Sequence, residues 1–162
     1  MQLVSRLTAA VLLSALVAVQ ASAMPPVTNK AEADAYFEAN KAPAPDGYEL
    51  HFKDCATDNC SLDRAMLAEA LQLAHQKDYQ AQRNLAYCLE YGCDVIEPDP
   101  VEGCAWRMVL LASDSPELNK SDARNLDACV QRLGPAGVQS AKVRATALVL
   151  RIYGEDHLKD PL

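Results

Sequence analysis

The chain has 162 residues, half of them hydrophobic by type, and carries 15 Lys and Arg against 22 Asp and Glu for a net charge of −7. An acidic chain with no Lys/Arg cluster repels phosphate backbones and anionic lipid, which argues against nucleic acid as a partner. Six cysteines make the redox compartment the next question.

Met1 to Ala23 holds one basic residue, Arg6, then an apolar stretch from Leu7 to Val19, then Ala21-Ser22-Ala23. This is the layout of a secretory signal peptide with an A-x-A cleavage site. A membrane-spanning helix needs roughly 20 apolar residues, and Leu7 to Val19 supplies only 13. The expectation is a periplasmic or secreted protein, free of the membrane after signal removal, whose cysteines form disulfides.

Residues 24–60 read as an irregular N-terminal arm. Asn29 can cap a short helix to Asn40, with Glu32 three positions later and Tyr36 and Phe37 on its apolar side. KAPAPDG, Lys41 to Gly47, stops it with two prolines and an Asp-Gly turn. Tyr48 to Lys53 is a brief extended piece without an evident partner strand.

From Ser61 the signals are helical. Ser61 is the expected cap of a helix with Leu62, Met66, Ala70 and Leu73 as its stripe. Asp78 caps the next, with Ala81, Leu85, Cys88 and Leu89 on one side. Asp99-Pro100-Val101-Glu102 starts a third through an Asp cap, proline at the first helical position and Glu at the capping-box position. Val101, Cys104, Ala105, Met108, Leu111 and Ala112 form its stripe. Ser121 or Asp122 opens a fourth, with Leu126, Cys129, Val130 and Leu133, ended by Gly134-Pro135. Val138, Ala141, Ala145, Leu148, Val149 and Ile152 mark a fifth, stopped by Gly154, before a C-terminal tail, 155–162. Five amphipathic helices on short connections predict an all-α fold of antiparallel helical hairpins over residues 61–154.

Tyr79 to Ser113 resembles a Sel1-like repeat, a relative of the tetratricopeptide hairpin, through Ala81, Leu85, the helix-ending Gly92, Val95, the capping Asp99 and Trp106. It departs from that pattern at Ala86, at Gly103 and at Leu110-Leu111, positions that set how closely the helices approach. The resemblance implies an α-solenoid, with Ser61 to Lys77 as the second helix of a preceding unit, Ser121 to Tyr153 as a capping hairpin, and Trp106 packed between helices. It also implies an interaction scaffold or adaptor as the function. Some exported, cysteine-rich relatives are linked with binding or hydrolysing penicillin-type compounds, and a small periplasmic hydrolase is the alternative. The regular one-pair-per-repeat cysteine spacing of that subgroup is absent here, so its activity is not carried over.

The cysteines pair by helix geometry. A Schellman turn at Gly92 would bring Cys88 against Cys93. Cys104 and Cys129 lie about equally far from the connection near Glu117, on consecutive helices, which leaves Cys55 for Cys60. The rival set joins Cys60 to Cys93 and Cys88 to Cys104. A redox site wants Cys-x-x-Cys at a helix N-terminus and zinc wants close-set Cys and His ligands, and neither spacing occurs. His51, His75 and His157 are isolated along the chain. No G-x-S-x-G, H-E-x-x-H, phosphate-loop or dinucleotide pattern appears. Capping accounts for Asp99 and Glu102, and no catalytic residue, metal or cofactor is assigned.

Arg83, Tyr87 and Tyr91 lie on a different side of their helix from Leu85 and Leu89 and form the candidate partner-binding ridge, since exposed Tyr and Arg favour interfaces. The competing reading folds the arm over them through Tyr36 and Phe37. For export, cleavage after Ala23 predicts a mature chain beginning at Met24; intact mass of the exported protein checks this, and retention of residues 1–23 would contradict it.

Overall fold

A helix cannot satisfy the N–H groups of its own first turn, so its start is set by a side chain that accepts from them. The computed structural model describes residues 27–157; the signal-peptide reading of residues 1–23 and most of the expected tail lie outside the described residues. The chain is all-helical there: α1 (Lys30–Asn40), α2 (Asp58–His75), α3 (Tyr79–Tyr91), α4 (Pro100–Ala112), α5 (Lys120–Ile152) and a 3-10 turn (Glu155–His157). Asn29, Asp78 and Asp99 accept from the N–H groups of Glu32, Ala81 and Glu102 and cap α1, α3 and α4, with Pro100 opening α4.

Two starts differ from the sequence expectation. The Thr57 hydroxyl accepts the Cys60 N–H at 3.3 Å, so α2 begins a turn before Ser61, which is fully buried inside the helix. α5 is capped by Asn119 in a reciprocal box with Asp122, not by Ser121 or Asp122. Both Thr57-x-x-Cys60 and Asn119-x-x-Asp122 offer the same chemistry slightly upstream of the residues favoured from sequence. The expected fourth and fifth helices abut as two segments of α5, broken only at Gly134, whose φ of 66° and ψ of 175° are non-helical, and Pro135 starts the second.

α2 buries a different face from the one its spacing suggests. Ser61, Ala65, Leu67, Ala68, Leu71 and Ala74 are buried, whereas Met66 stays 49 % exposed. Ala65 and Ala68 meet Phe37 of α1, and Leu67, Leu71 and Ala74 join the main core with Leu85, Leu89 and Trp106. The helix carries more apolar residues than one stripe, and α1 and α3 pack on two adjacent sides of it. Each helix packs chiefly on its chain neighbours, α1 on α2 through α4 on α5. α4 is the central element, buried continuously from Glu102 to Leu110 rather than along one stripe. Trp106 is fully buried in it.

The extended piece does find a partner. The Lys53 N–H donates to the Val95 carbonyl at 2.9 Å and the Glu97 N–H to the His51 carbonyl at 2.9 Å, around an isolated antiparallel bridge of Phe52 with Ile96. That loop leaves α3 through three successive left-handed residues, Gly92, Cys93 and Asp94, at φ of 87°, 44° and 59°. A cysteine and an aspartate there are unusual, and the Cys88–Cys93 bridge ties this turn to the helix. The bond that ends α3 runs from the Gly92 N–H to the Cys88 carbonyl, the single-bond left-handed cap, in place of the expected Schellman pattern.

The cysteines pair as Cys55–Cys60, Cys88–Cys93 and Cys104–Cys129, with Cα separations of 5.4, 4.9 and 5.8 Å. Cys104–Cys129 joins α4 to α5 across 25 positions, the other two across 5. In the chain-entropy treatment it restricts the unfolded chain most, by about 3 kcal/mol. Three disulfides suit an oxidising compartment, and among the described residues no helix is long and apolar enough to cross a membrane.

α3 and α4 approach closely at Gly103. A Cβ there would lie 2.8 Å from Glu90 Cγ, 2.9 Å from the Glu90 backbone nitrogen and 3.1 Å from the Ala86 carbonyl oxygen. Two of these are backbone atoms and cannot turn aside. Gly103→Ala should therefore destabilise by about 1–3 kcal/mol although alanine is the better helix former; a thermal melt checks this, and an unchanged midpoint would show that the helices part freely.

Candidate functional site

The exposed Met66 of α2, with Ala70 and Leu73 at the edge of the core, forms one wall of a groove. Met66, Ala70 and Leu73 face Ala81, Asn84 and Tyr87 of α3, above Leu67, Val95 and the Cys88–Cys93 bridge. Two clefts of about 360 and 220 Å³ adjoin at Met66, Ala70 and Asn84, which line both, and together form the α2–α3 groove.

Tyr87 and Tyr91 are 54 % and 51 % exposed, with ring centroids 4.9 Å apart as their four-residue spacing on a helix allows. Tyr87 lines the groove, and Tyr91 continues the aromatic surface toward Arg132, whose guanidinium lies 5.1 Å from its ring. The arm does not cover them: Phe37 is buried against α2, under the Arg64 guanidinium at 4.1 Å and edge-on to Phe52 at 4.8 Å.

Arg83 is placed differently from the tyrosines. Its Nε lies 3.1 Å from Asp122 Oδ1 and its Nη2 donates to Ser121 Oγ at 2.8 Å. Asp122 is almost fully buried and also accepts from the Tyr79 hydroxyl at 2.7 Å and the Asn119 N–H at 3.0 Å. Arg83 therefore ties α3 to the start of α5, which leaves two tyrosines as the free part of the ridge.

A second cluster lies inside. Glu102 was expected to complete a capping box, but the Asp99 N–H donates to the Leu89 carbonyl at 2.8 Å instead. The buried Glu102 carboxylate accepts from Arg144 Nε at 2.6 Å and Nη2 at 2.9 Å, and from Trp106 Nε1 at 3.1 Å. Arg144 also pairs with Asp46 in the loop after α1. Asp46 Oδ1 accepts the Tyr48 N–H at 3.1 Å and lies 3.6 Å from His75 Nε2. His75 Nδ1 is 3.0 Å from the Leu71 carbonyl, which can only accept, so that nitrogen carries the proton. His75 stands edge-on to Trp106 at 5.0 Å, far from isolated. His157 likewise reaches the Ala112 carbonyl at 3.2 Å.

Burial pushes the Glu102 carboxyl above the usual range, and the Arg144 hydrogen bonds offset only part of that. Burial acts on Asp46 in the same sense, but the Tyr48 N–H, Arg144 and His75 together outweigh it and hold that carboxyl low. Burial, followed by the charges of Asp99 and Glu102, raises the Tyr48 phenol, which donates to Asp99 at 3.2 Å. The Glu90 carboxylate accepts from Arg107 Nε at 2.6 Å and also pairs with Arg132. Glu90, Glu102 and Asp122 are thus each matched by arginine, so that buried ion pairs join α3, α4 and α5. Among the described residues no group of three His, Cys, Asp or Glu is placed to hold a metal ion.

These paired charges were missed in the sequence, where one faint signal exists: Arg107 interrupts the apolar run Cys104 to Ala112, and Arg144 borders the stripe Ala141, Ala145 and Leu148. No protein-family model, characterised protein or solved structure matches the chain.

Arg144→Ala would strand Glu102 and Asp46 without their shared cation. Breaking such a pair costs about 3–5 kcal/mol, and chemical denaturation should show a loss of that order. A loss below about 1 kcal/mol, the ordinary size for an exposed pair, would mean that water already neutralises the cluster.

Proposed function

We propose that the chain is an exported Sel1-like helical scaffold, an α-solenoid of antiparallel hairpins, that binds another protein through the α2–α3 groove and the adjoining tyrosine pair. The observation that carries this reading is the apolar edge of α2: Met66 is about half exposed and, with the half-buried Ala70, shares a cleft with Tyr87, and Leu73 extends the edge into the adjoining cleft. Side chains of this kind suit an interface. Tyrosine contributes area at low entropy cost, and methionine adapts to varied partners. Packing of each helix on its chain neighbours supports a repeat-like architecture. Disulfides and a leader-like N-terminus support export. Arg83 borders the ridge and holds the start of α5.

The experiment is affinity capture from the native envelope with the exported protein as bait. Tyr87→Ala with Tyr91→Ala should cut partner capture by more than about tenfold, since interface tyrosines commonly cost about 2 kcal/mol each. Both rings are about half exposed, so stability should change little. Undiminished capture at unchanged stability would place the interface elsewhere; a collapse of the melting temperature would show that the pair belongs to the core.

A further inference from the structure

We infer that the groove takes a cationic segment of a partner protein, one whose apolar anchor is flanked by Lys or Arg. This inference rests on the groove being the interface and adds the chemistry of its occupant. Every charged residue lining the groove is acidic: Asp63 and Glu69 of α2, and Asp78 at the start of α3. Among the described residues none of the three forms an ion pair, although Glu90, Glu102 and Asp122 each have an arginine. Asp78 uses one oxygen to cap α3, accepting the Ala81 N–H at 2.7 Å, and its net charge remains. The groove therefore sets an uncompensated negative field around an apolar floor, and the whole chain is acidic in the same sense. A cationic partner gains from that field in on-rate and specificity, while an acidic one is repelled.

The spacing narrows the partner further. Asp63 and Glu69 are six residues apart on one helix, or about 9 Å along its axis at 1.5 Å per residue. Met66 lies midway between them and is the exposed apolar contact. An extended segment advances about 3.3 Å per residue and its side chains alternate between faces, so basic residues at positions i and i+4, about 13 Å apart and on the same face as position i+2, would reach the two carboxylates through their flexible stems. The apolar anchor would then sit between them, over Met66 and Tyr87.

Selection of random dodecapeptides displayed on phage against the full exported protein tests this, with Tyr87→Ala/Tyr91→Ala protein as the counter-target. The expected outcome is enrichment of peptides with Lys or Arg on both sides of an aliphatic or aromatic residue. Their affinity should fall as salt rises and drop by about tenfold or more in Asp63→Lys/Glu69→Lys, a pair of substitutions outside the core whose fold is checked by an unchanged melt. Neutral or acidic peptides that still need Tyr87 and Tyr91, or basic ones indifferent to the charge reversal, would overturn the cationic occupant and leave the groove as the interface. Binders indifferent to the tyrosines, or no binders, would overturn both. Self-association that vanishes in the tyrosine variant would identify a second copy as the occupant and also overturn it.

Discussion

The guanidinium of Arg144 is held between Glu102 on α4 and Asp46 in the loop after α1, and much of the structure depends on that placement. Charges withdrawn from water are tolerated only when each is matched and its hydrogen-bonding capacity is used. Arg144 matches the charges of Glu102 and Asp46 from two distant segments, so the second half of α5, the start of α4 and the N-terminal loop converge on one point. Trp106 donates to the same carboxylate, and His75 lies beside both Trp106 and Asp46. The loop is further tied by Gln72 to the Ala42 carbonyl at 2.9 Å and by Arg151 to the Pro45 carbonyl at 2.9 Å. A segment with two prolines thus gains a fixed position through polar contacts together with the buried Ala44.

That convergence determines which surface remains open. The N-terminal loop takes one end of α2, and α1 covers the face that bears Ala65 and Ala68. Pairing of residues 51–53 with 95–97 holds the loop after α3 in place, and the Cys88–Cys93 bridge anchors its first turn. What remains of α2 is the strip bearing Met66 and Ala70, facing Asn84 and Tyr87 across the groove.

The close contact at Gly103 and the arginine pairs on Glu90 belong together. Gly103 lets α4 approach the backbone of α3 at Glu90, and Arg107, one turn further along α4, then reaches the Glu90 carboxylate at 2.6 Å. Arg132 brings the first segment of α5 to the same carboxylate. A small residue and a buried charge act jointly here: the first sets the distance, the second requires it.

Much of this was legible in the sequence because it is local. Caps at Asn29, Asp78 and Asp99, the stop at Gly92 and the break at Gly134-Pro135 depend on residues within a turn of one another, and so do the short-range cysteine pairs. Tyr87 and Tyr91 could be set apart from the core stripe of α3 by helical period alone. The buried face of α2 could not, since two apolar stripes compete there and only the positions of α1 and α3 choose between them. Nor could the role of Glu102, whose capping-box position was a sound local reading until Arg144, 42 residues away, claimed its carboxylate. Local hydrogen bonding is written in neighbouring residues, and the sequence by itself determined the helices, most of their ends and the nearby bridges, the starts at Thr57 and Asn119 excepted. Which faces are buried and which charges meet depends on long-range packing, and that was decided by the tertiary structure alone.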